Sequence, residues 1–320
     1  MKIRTLLLGA AATVVAMPVL AAELTVVSWG GAYTVSQVEA YHKPWIAATG
    51  NSIVSTDYSG GLAEVKSQVE AGNVTWDLVD VELSDAIRGC DEGLFEEIDA
   101  SMLPAAPDGT SAEDDFLPGT LHDCAVSNIF WTTLYAFNKD VYTGEQPTTM
   151  ADFFDLEKFP GKRGVRKNPK AMLEMALMGD GVPAAEVYDV MGTEEGIARA
   201  FAKLDTIKDD VVWWEAGAQP PQLLADGEVT MTITWNGRIF NAIAQEGQPF
   251  GLVWDGQIYD LDLWAIPKGA PNKEAALDFV GFSTATEQLA AQASYIPYGP
   301  ARKSSIPLIG TYYTDDSIQM

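Results

Sequence analysis

Leu24-Thr25-Val26-Val27-Ser28-Trp29-Gly30-Gly31-Ala32-Tyr33 is the stretch on which the reading of the fold turns. Its first residues form a short β-branched run and a glycine pair follows. Thr34 and Gln37 then have the spacing of a capping box that opens a helix. A strand, a glycine turn and a helix N-terminus bring an aromatic face and bare backbone N–H groups to the carboxyl edge of a sheet, where open α/β folds bind small molecules. Trp29, Gly30 and Tyr33 are therefore the first candidate binding residues. Taken alone, Trp29 is explained slightly better as a side chain packed under a loop.

Working outward toward the N-terminus, Lys2 and Arg4 precede an apolar run from Leu6 to Leu20, and Ala21 and Ala22 follow. This pattern predicts a secretory signal peptide over 1–22, with a retained signal anchor as the alternative. No later stretch reaches the ~18 consecutive apolar residues of a membrane span.

Toward the C-terminus the pattern continues as strand, helix and strand: Ser52-Ile53-Val54-Ser55, an amphipathic helix over 62–71, then Trp76-Asp77-Leu78-Val79-Asp80-Val81. Such alternation implies a largely parallel sheet covered by helices, and 104–120 reads as a long loop. Two later β-rich runs, 129–137 and 258–267, are candidates for strands that cross between lobes. Between them, 172–178, 196–204 and 222–224 look helical and 229–234 alternates like a strand. Helices are expected again over 274–282 and 287–293, with Thr284 and Glu287 spaced as a capping box. The prediction is an α/β clamshell of two lobes, each a mixed sheet flanked by helices, joined by crossing hinge strands. Lobe 1 is expected over 23–132 plus 262–303, and lobe 2 over 133–261 plus 304–320.

The formal charge of −25, from 45 acidic and 20 basic residues, argues against nucleic acid or an anionic membrane as partner. After export, Cys90 and Cys124 would meet an oxidising compartment, which favours one disulfide over two buried thiols. Catalytic signatures are missing. Only His42 and His122 exist, so no zinc-site spacing arises, and neither Gly-x-Ser-x-Gly nor a phosphate-loop Gly-Lys-Ser/Thr occurs. Gly179-Asp180-Gly181 fails as a dinucleotide fingerprint, because Pro183 stands where its helix would run. A non-enzyme needing no cofactor or metal is expected, with an exported hydrolase using Asp260 or Asp262 as the alternative.

Nine tryptophans are present, and several close strands or open turns: Trp29, Trp213-Trp214 before Glu215, and Trp235 before Asn236-Gly237-Arg238. Indole faces attract ammonium groups by roughly 0.5–2 kcal/mol, and Asp262 or Glu215 could supply the counter-charge.

Thr234-Trp235-Asn236-Gly237, Asp262-Leu263-Trp264-Ala265-Ile266-Pro267-Lys268 and Asn272-Lys273-Glu274-Ala275-Ala276-Leu277-Asp278-Phe279 follow in an order similar to that of the periplasmic spermidine/putrescine-binding proteins of ABC importers. Ser28-Trp29, Trp76-Asp77-Leu78-Val79 and Tyr295-Ile296-Pro297-Tyr298-Gly299-Pro300 extend the resemblance over nearly the whole mature chain. It implies a periplasmic protein, expected as a monomer, that hands a small amine or amino-acid-like ligand to an inner-membrane permease. It also implies Trp29 and Trp235 as aromatic walls, Asp262 as a carboxylate meeting an amine, and Tyr295 lining the cleft. Glu82, Trp214 and Tyr259 complete the candidate set.

One departure stands out. Asn168 and Ala171 occupy the positions of the family's second pair of carboxylates, with Arg166, Lys167 and Lys170 around them and Arg238 after Trp235-Asn236-Gly237. The resemblance ranks a polyamine-like cation first. The bases favour a zwitterion such as 4-aminobutyrate or a betaine, provided Arg166 or Arg238 enters the cleft, whereas Lys170 reads as a surface base.

Overall fold

The computed structural model of the chain describes residues 21–310. The expected signal peptide lies outside the described residues except for its last two positions, and so does 311–320. Strand β1, Glu23–Ser28, is flanked by two parallel neighbours, β2 (Ser52–Asp57) and β3 (Leu78–Glu82). Leu24, Val26 and Val27 are buried, and all of β3 is buried, as a central strand covered on both faces requires.

Two long strands carry the chain across the molecule. β5 (Ala125–Asn138) and β9 (Phe250–Ala265) pair antiparallel over most of their length. β9 joins β3 at one end, and β5 joins β8 (Met231–Trp235) at the other. Beyond β8 lie β6 (Arg163–Arg166) and β7 (Val211–Trp214), both parallel additions. Short strands β4 (Leu121–His122) and β10 (Gly299–Pro300) edge β5. The two expected sheets are thus fused through β5 and β9 into one ten-stranded sheet, eight strands in a continuous path with β4 and β10 off it.

Each end of this sheet has its own core. Around β1–β3, Trp45 and Trp264 pack edge-on against Phe279, at centroid distances of 5.4 and 5.8 Å. Around β6–β8, Phe153, Met175, Leu177 and Ile233 form the second core. Lobe 1 is built on the first core and lobe 2 on the second. A disulfide joins Cys90 to Cys124 in lobe 1, with Cα atoms 5.9 Å apart. No helix among the described residues is long and apolar enough to cross a membrane.

Three local expectations are corrected. The first helix, Gly31–Gln37, begins at the glycine pair, so Thr34 and Gln37 lie inside it and bond sideways to Asp57 and Asp80 instead of capping it. Helix Thr286–Ala293 starts after Ala285, and Thr284 donates back to the carbonyl of Val280. The described part of 304–320 packs on lobe 1 rather than lobe 2. There Ser304 donates to Asp115, and Ser305 donates to the Thr286 carbonyl.

Candidate functional site

The sequence Trp29-Gly30-Gly31 ends β1 in two residues with positive φ, 68° and 57°, a conformation open to glycine at little cost. A Cβ on Gly31 would stand 2.8 Å from the Arg238 guanidinium and push that side chain aside, so the turn needs glycine for conformation and the Arg238 contact benefits from it. Arg238, on the helix Asn236–Glu246 of lobe 2, crosses to donate to the carbonyls of Gly30 and, at 3.0 Å, Trp29. The two lobes meet through an aromatic cluster in which Trp235 takes Trp29, Trp131 and Trp214 edge-on at 5.8, 5.5 and 5.6 Å.

Inside this cluster lies a cage of about 10 Å³, walled by Trp29, Tyr33, Trp131, Trp235 and Tyr298, with Glu82, Arg238 and Asp262 as its charged members. That volume holds about one water, so a solute enters only when the lobes part or the rings shift. Asp262 is 4 % exposed and accepts from the Trp131 indole at 3.0 Å. Burial first, then the neighbouring charges of Asp80, Glu82 and Asp260, hold its carboxyl well above the usual range. Asp80, fully buried behind it, accepts from Ser28, Gln37 and Asn128 at 3.0, 2.7 and 3.1 Å, while burial pushes its carboxyl up to about 7.

Glu82 is treated differently. Arg166 pairs with it at 2.7 Å from lobe 2, and Lys170 bonds to it and, at 2.8 Å, to Asp85. Burial alone would raise Glu82, but these two cations outweigh it and lower the carboxyl. Arg166 also lies over the Trp235 and Trp29 rings at 5.0 and 5.7 Å. Four buried donor atoms in this region have no partner among the described residues: the indole nitrogens of Trp29 and Trp214, Nη2 of Arg166 and Nε of Arg238. Beyond Glu82 the cleft widens into a cavity of about 680 Å³, which Trp131 and Trp235 also border.

A profile of the bacterial extracellular solute-binding proteins matches residues 40–318. The chain belongs to that family. Over 286 residues it is 44 % identical to the gamma-aminobutyric acid-binding protein of Pseudomonas aeruginosa, covering 89 % of this chain and 79 % of the relative. Against the spermidine/putrescine-binding periplasmic protein of Escherichia coli the identity is 28 % over 236 residues, covering 70 % and 65 %. Among solved structures, the PBP MotA from A. tumefaciens B6 in complex with glucopine superposes with a TM-score of 0.83 at 34 % identity, covering 90 % of this chain and 86 % of that one. The solute-binding protein is accordingly not an enzyme, and its two-lobed fold is that of its family.

Within this solute-binding protein the expected site residues divide. Trp29, Tyr33, Glu82, Trp235, Arg238 and Asp262 wall the cage, and Trp214 and Tyr259 line the wider cavity, Tyr259 at its exposed rim. Gly30 contributes a carbonyl to Arg238 rather than an N–H to the cage. Asn168, Glu215 and Tyr295 line neither space. Asn168 closes its own turn onto the Lys170 N–H, Glu215 pairs at the surface with Lys167 at 3.3 Å, and Tyr295 packs against the lobe 1 core. Lys170 is no surface base, being tied to two acids of the other lobe.

Trp131 and Tyr298 are cage residues that the sequence reading missed. Trp131 was hidden inside a run read only as a hinge strand, and Tyr298 lies three residues past the tyrosine chosen. No local sequence signal marked Trp131, and for Tyr298 the fit is tertiary: a Cβ on Gly237 would fall 2.5 Å from its ring.

Proposed function

We propose that the cage captures a small zwitterion of the 4-aminobutyrate class, and that this substrate-binding component of an ABC importer delivers it to an inner-membrane permease. The observation that carries the reading is the meeting in one cage of the Asp262 carboxylate, which accepts from the Trp131 indole, with unpartnered buried donors on Arg238 and Trp29, next to those of Arg166 and Trp214 on the adjoining cavity wall. An ammonium fits Asp262, and a carboxylate fits the guanidinium and indole N–H groups. The rings between them give methylenes an apolar sleeve. A polyamine brings only donors and would leave those N–H groups unsatisfied, at a cost of about 1–3 kcal/mol each. The 44 % identity to a gamma-aminobutyric acid-binding protein supports the same choice over the polyamine reading.

Closure brings Arg166, Lys170 and Arg238 of lobe 2 onto Glu82, Asp85 and the Trp29-Gly30 carbonyls of lobe 1. Water leaves the cleft, and the ligand's charge pairs strengthen in the lower dielectric. The register of β5 on β9 shifts between Thr133 and Tyr135, which supports a hinge close to the lobe boundary placed at 132/133. The test is calorimetric titration with 4-aminobutyrate, putrescine, spermidine and glycine betaine, with tryptophan fluorescence in parallel. The expected result is saturable binding of 4-aminobutyrate at least about tenfold tighter than putrescine. Tighter binding of either polyamine would reverse the assignment.

A further inference from the structure

Glu82 ends β3 at the N-cap of the helix Leu83–Asp91, and Asp85 lies in the first turn of that helix, so one cation can reach both carboxylates. Lys170, half-buried on lobe 2, does so: its ammonium bonds to Glu82 and, at 2.8 Å, to Asp85. Arg166 takes the other Glu82 oxygen at 2.7 Å. Asp85 has one more cation within reach among the described residues, Arg88 at 3.3 Å, which is largely exposed and screened by water.

The backbone around Lys170 is unusual. Asn168 accepts from the Lys170 N–H at 3.0 Å, and the next residue, Ala171, has a φ of 62°, the one positive value at a non-glycine residue among the described residues. A residue with a Cβ is disfavoured in that conformation, and such outliers persist where the surrounding structure fixes them. Ala171 joins Lys170 to the helix Met172–Gly179, so the outlier sets the angle at which Lys170 leaves lobe 2 for the two acids of lobe 1.

Glu82 borders both the cage and the wider cavity, and Asp262 faces it directly across β3 and β9. Side chains of such cross-strand neighbours start about 4.5–5.5 Å apart. A linear diamine with one ammonium on Asp262 would therefore bring its second to Glu82. There it would meet two like charges and an acid already neutralised.

We propose that Lys170 is a specificity-determining residue, whose ammonium stands where the second ammonium of a linear diamine would bind and so limits the cage to ligands with a single cation. The proposal rests on the reading of Asp262 as the acid that receives the ligand's ammonium, and adds to it the group that rejects diamines. Selectivity then has two parts. Unpartnered donors favour a ligand carboxylate, and a resident cation repels a second ammonium.

The test is calorimetric titration of the parent, Lys170→Met and Lys170→Arg with putrescine, cadaverine and 4-aminobutyrate. Methionine keeps an unbranched, flexible side chain without the charge, which leaves a buried negative charge uncompensated at Glu82 and Asp85. Putrescine or cadaverine is expected to bind Lys170→Met at least about tenfold tighter than the parent, while 4-aminobutyrate, with one ammonium, gains nothing. Lys170→Arg keeps the charge and should gain affinity for neither diamine. A role in holding the lobes together and nothing more would weaken all three ligands alike in Lys170→Met. Thermal unfolding checks that the variants fold, and Lys170→Gln takes the place of Lys170→Met should that one fail. Binding of 4-aminobutyrate with no diamine gain in Lys170→Met, or with an equal gain in Lys170→Arg or for 4-aminobutyrate itself, overturns the role of Lys170 alone. Failure of 4-aminobutyrate to bind the parent, with the diamine gain present in Lys170→Met, overturns the zwitterion reading and leaves the role of Lys170 standing. Tighter binding of either diamine than of 4-aminobutyrate by the parent overturns both.

Discussion

Glu82 and Asp262 stand opposite each other across β3 and β9, both are buried, and yet their carboxyl groups are driven in opposite directions. At the Glu82 end of the cleft, lobe 2 supplies two cations and the carboxyl is lowered. At the Asp262 end it supplies an aromatic wall and Arg238 donates to the Trp29 and Gly30 carbonyls, while burial first, then the charges of Asp80, Glu82 and Asp260, raises the carboxyl. One acid is thus paired between the lobes, while the other has no cation paired with it among the described residues, which is what the proposed ligand-receiving role for Asp262 requires.

The largest effect is expected from breaking the latch. Glu82→Ala strands the Arg166 guanidinium in a buried setting and should lower stability in urea unfolding by about 3–5 kcal/mol. An unchanged midpoint would show that the pair does not hold the lobes.

At the other end, Asp262→Asn should weaken 4-aminobutyrate binding by about 2–4 kcal/mol, roughly 30- to 1000-fold by calorimetry. The same change should not destabilise the unliganded protein at neutral pH, because it replaces a carboxyl whose ionisation burial already penalises rather than half of an ion pair. A loss of stability as large as that of Glu82→Ala would erase the distinction between the two ends.

Proton linkage sharpens it further. Burial raises Asp80 from about 3.9 unfolded to about 7 folded, so the folded chain binds the extra proton between those values. Its contribution to stability is fully present below about pH 4 and is lost as pH rises through about 7, a change on the order of 2–4 kcal/mol. The stability of the parent relative to Asp80→Asn should therefore fall across that window. Affinity for an ammonium should run the other way, because Asp262 must be ionised to receive it. A ligand-induced rise in Tm that does not grow with pH would count against Asp262 as the receiver. Smallest of all, Lys167→Ala removes only an exposed pair with Glu215 and should change stability by less than about 0.5 kcal/mol.

How much of this was legible depended on the range over which each feature is encoded. β1, the glycine turn and the helix behind it are written in a dozen consecutive residues, and both crossing strands announce themselves as unbroken β-rich runs. Asp262 and the tryptophans before turns were visible as types in telling places. Asn168, Glu215 and Tyr295 were chosen by position along the chain, and a displacement of a few residues on a turn or helix end sends a side chain to another face. Lys170 was read as exposed because its two acids lie more than eighty residues away.

The α/β alternation and the crossing strands are set in the sequence, because propensity, periodicity and residue type are properties of short stretches, and the family is set by the order of several motifs along the chain. The tertiary structure alone decided which carboxylate is neutralised and which is left open. Glu82 and Arg166 are 84 positions apart, and only the folding of β6 against the far half of the sheet brings them within 2.7 Å. Charge state follows from such distances and from burial, and neither is a property of a residue read in its own place in the chain.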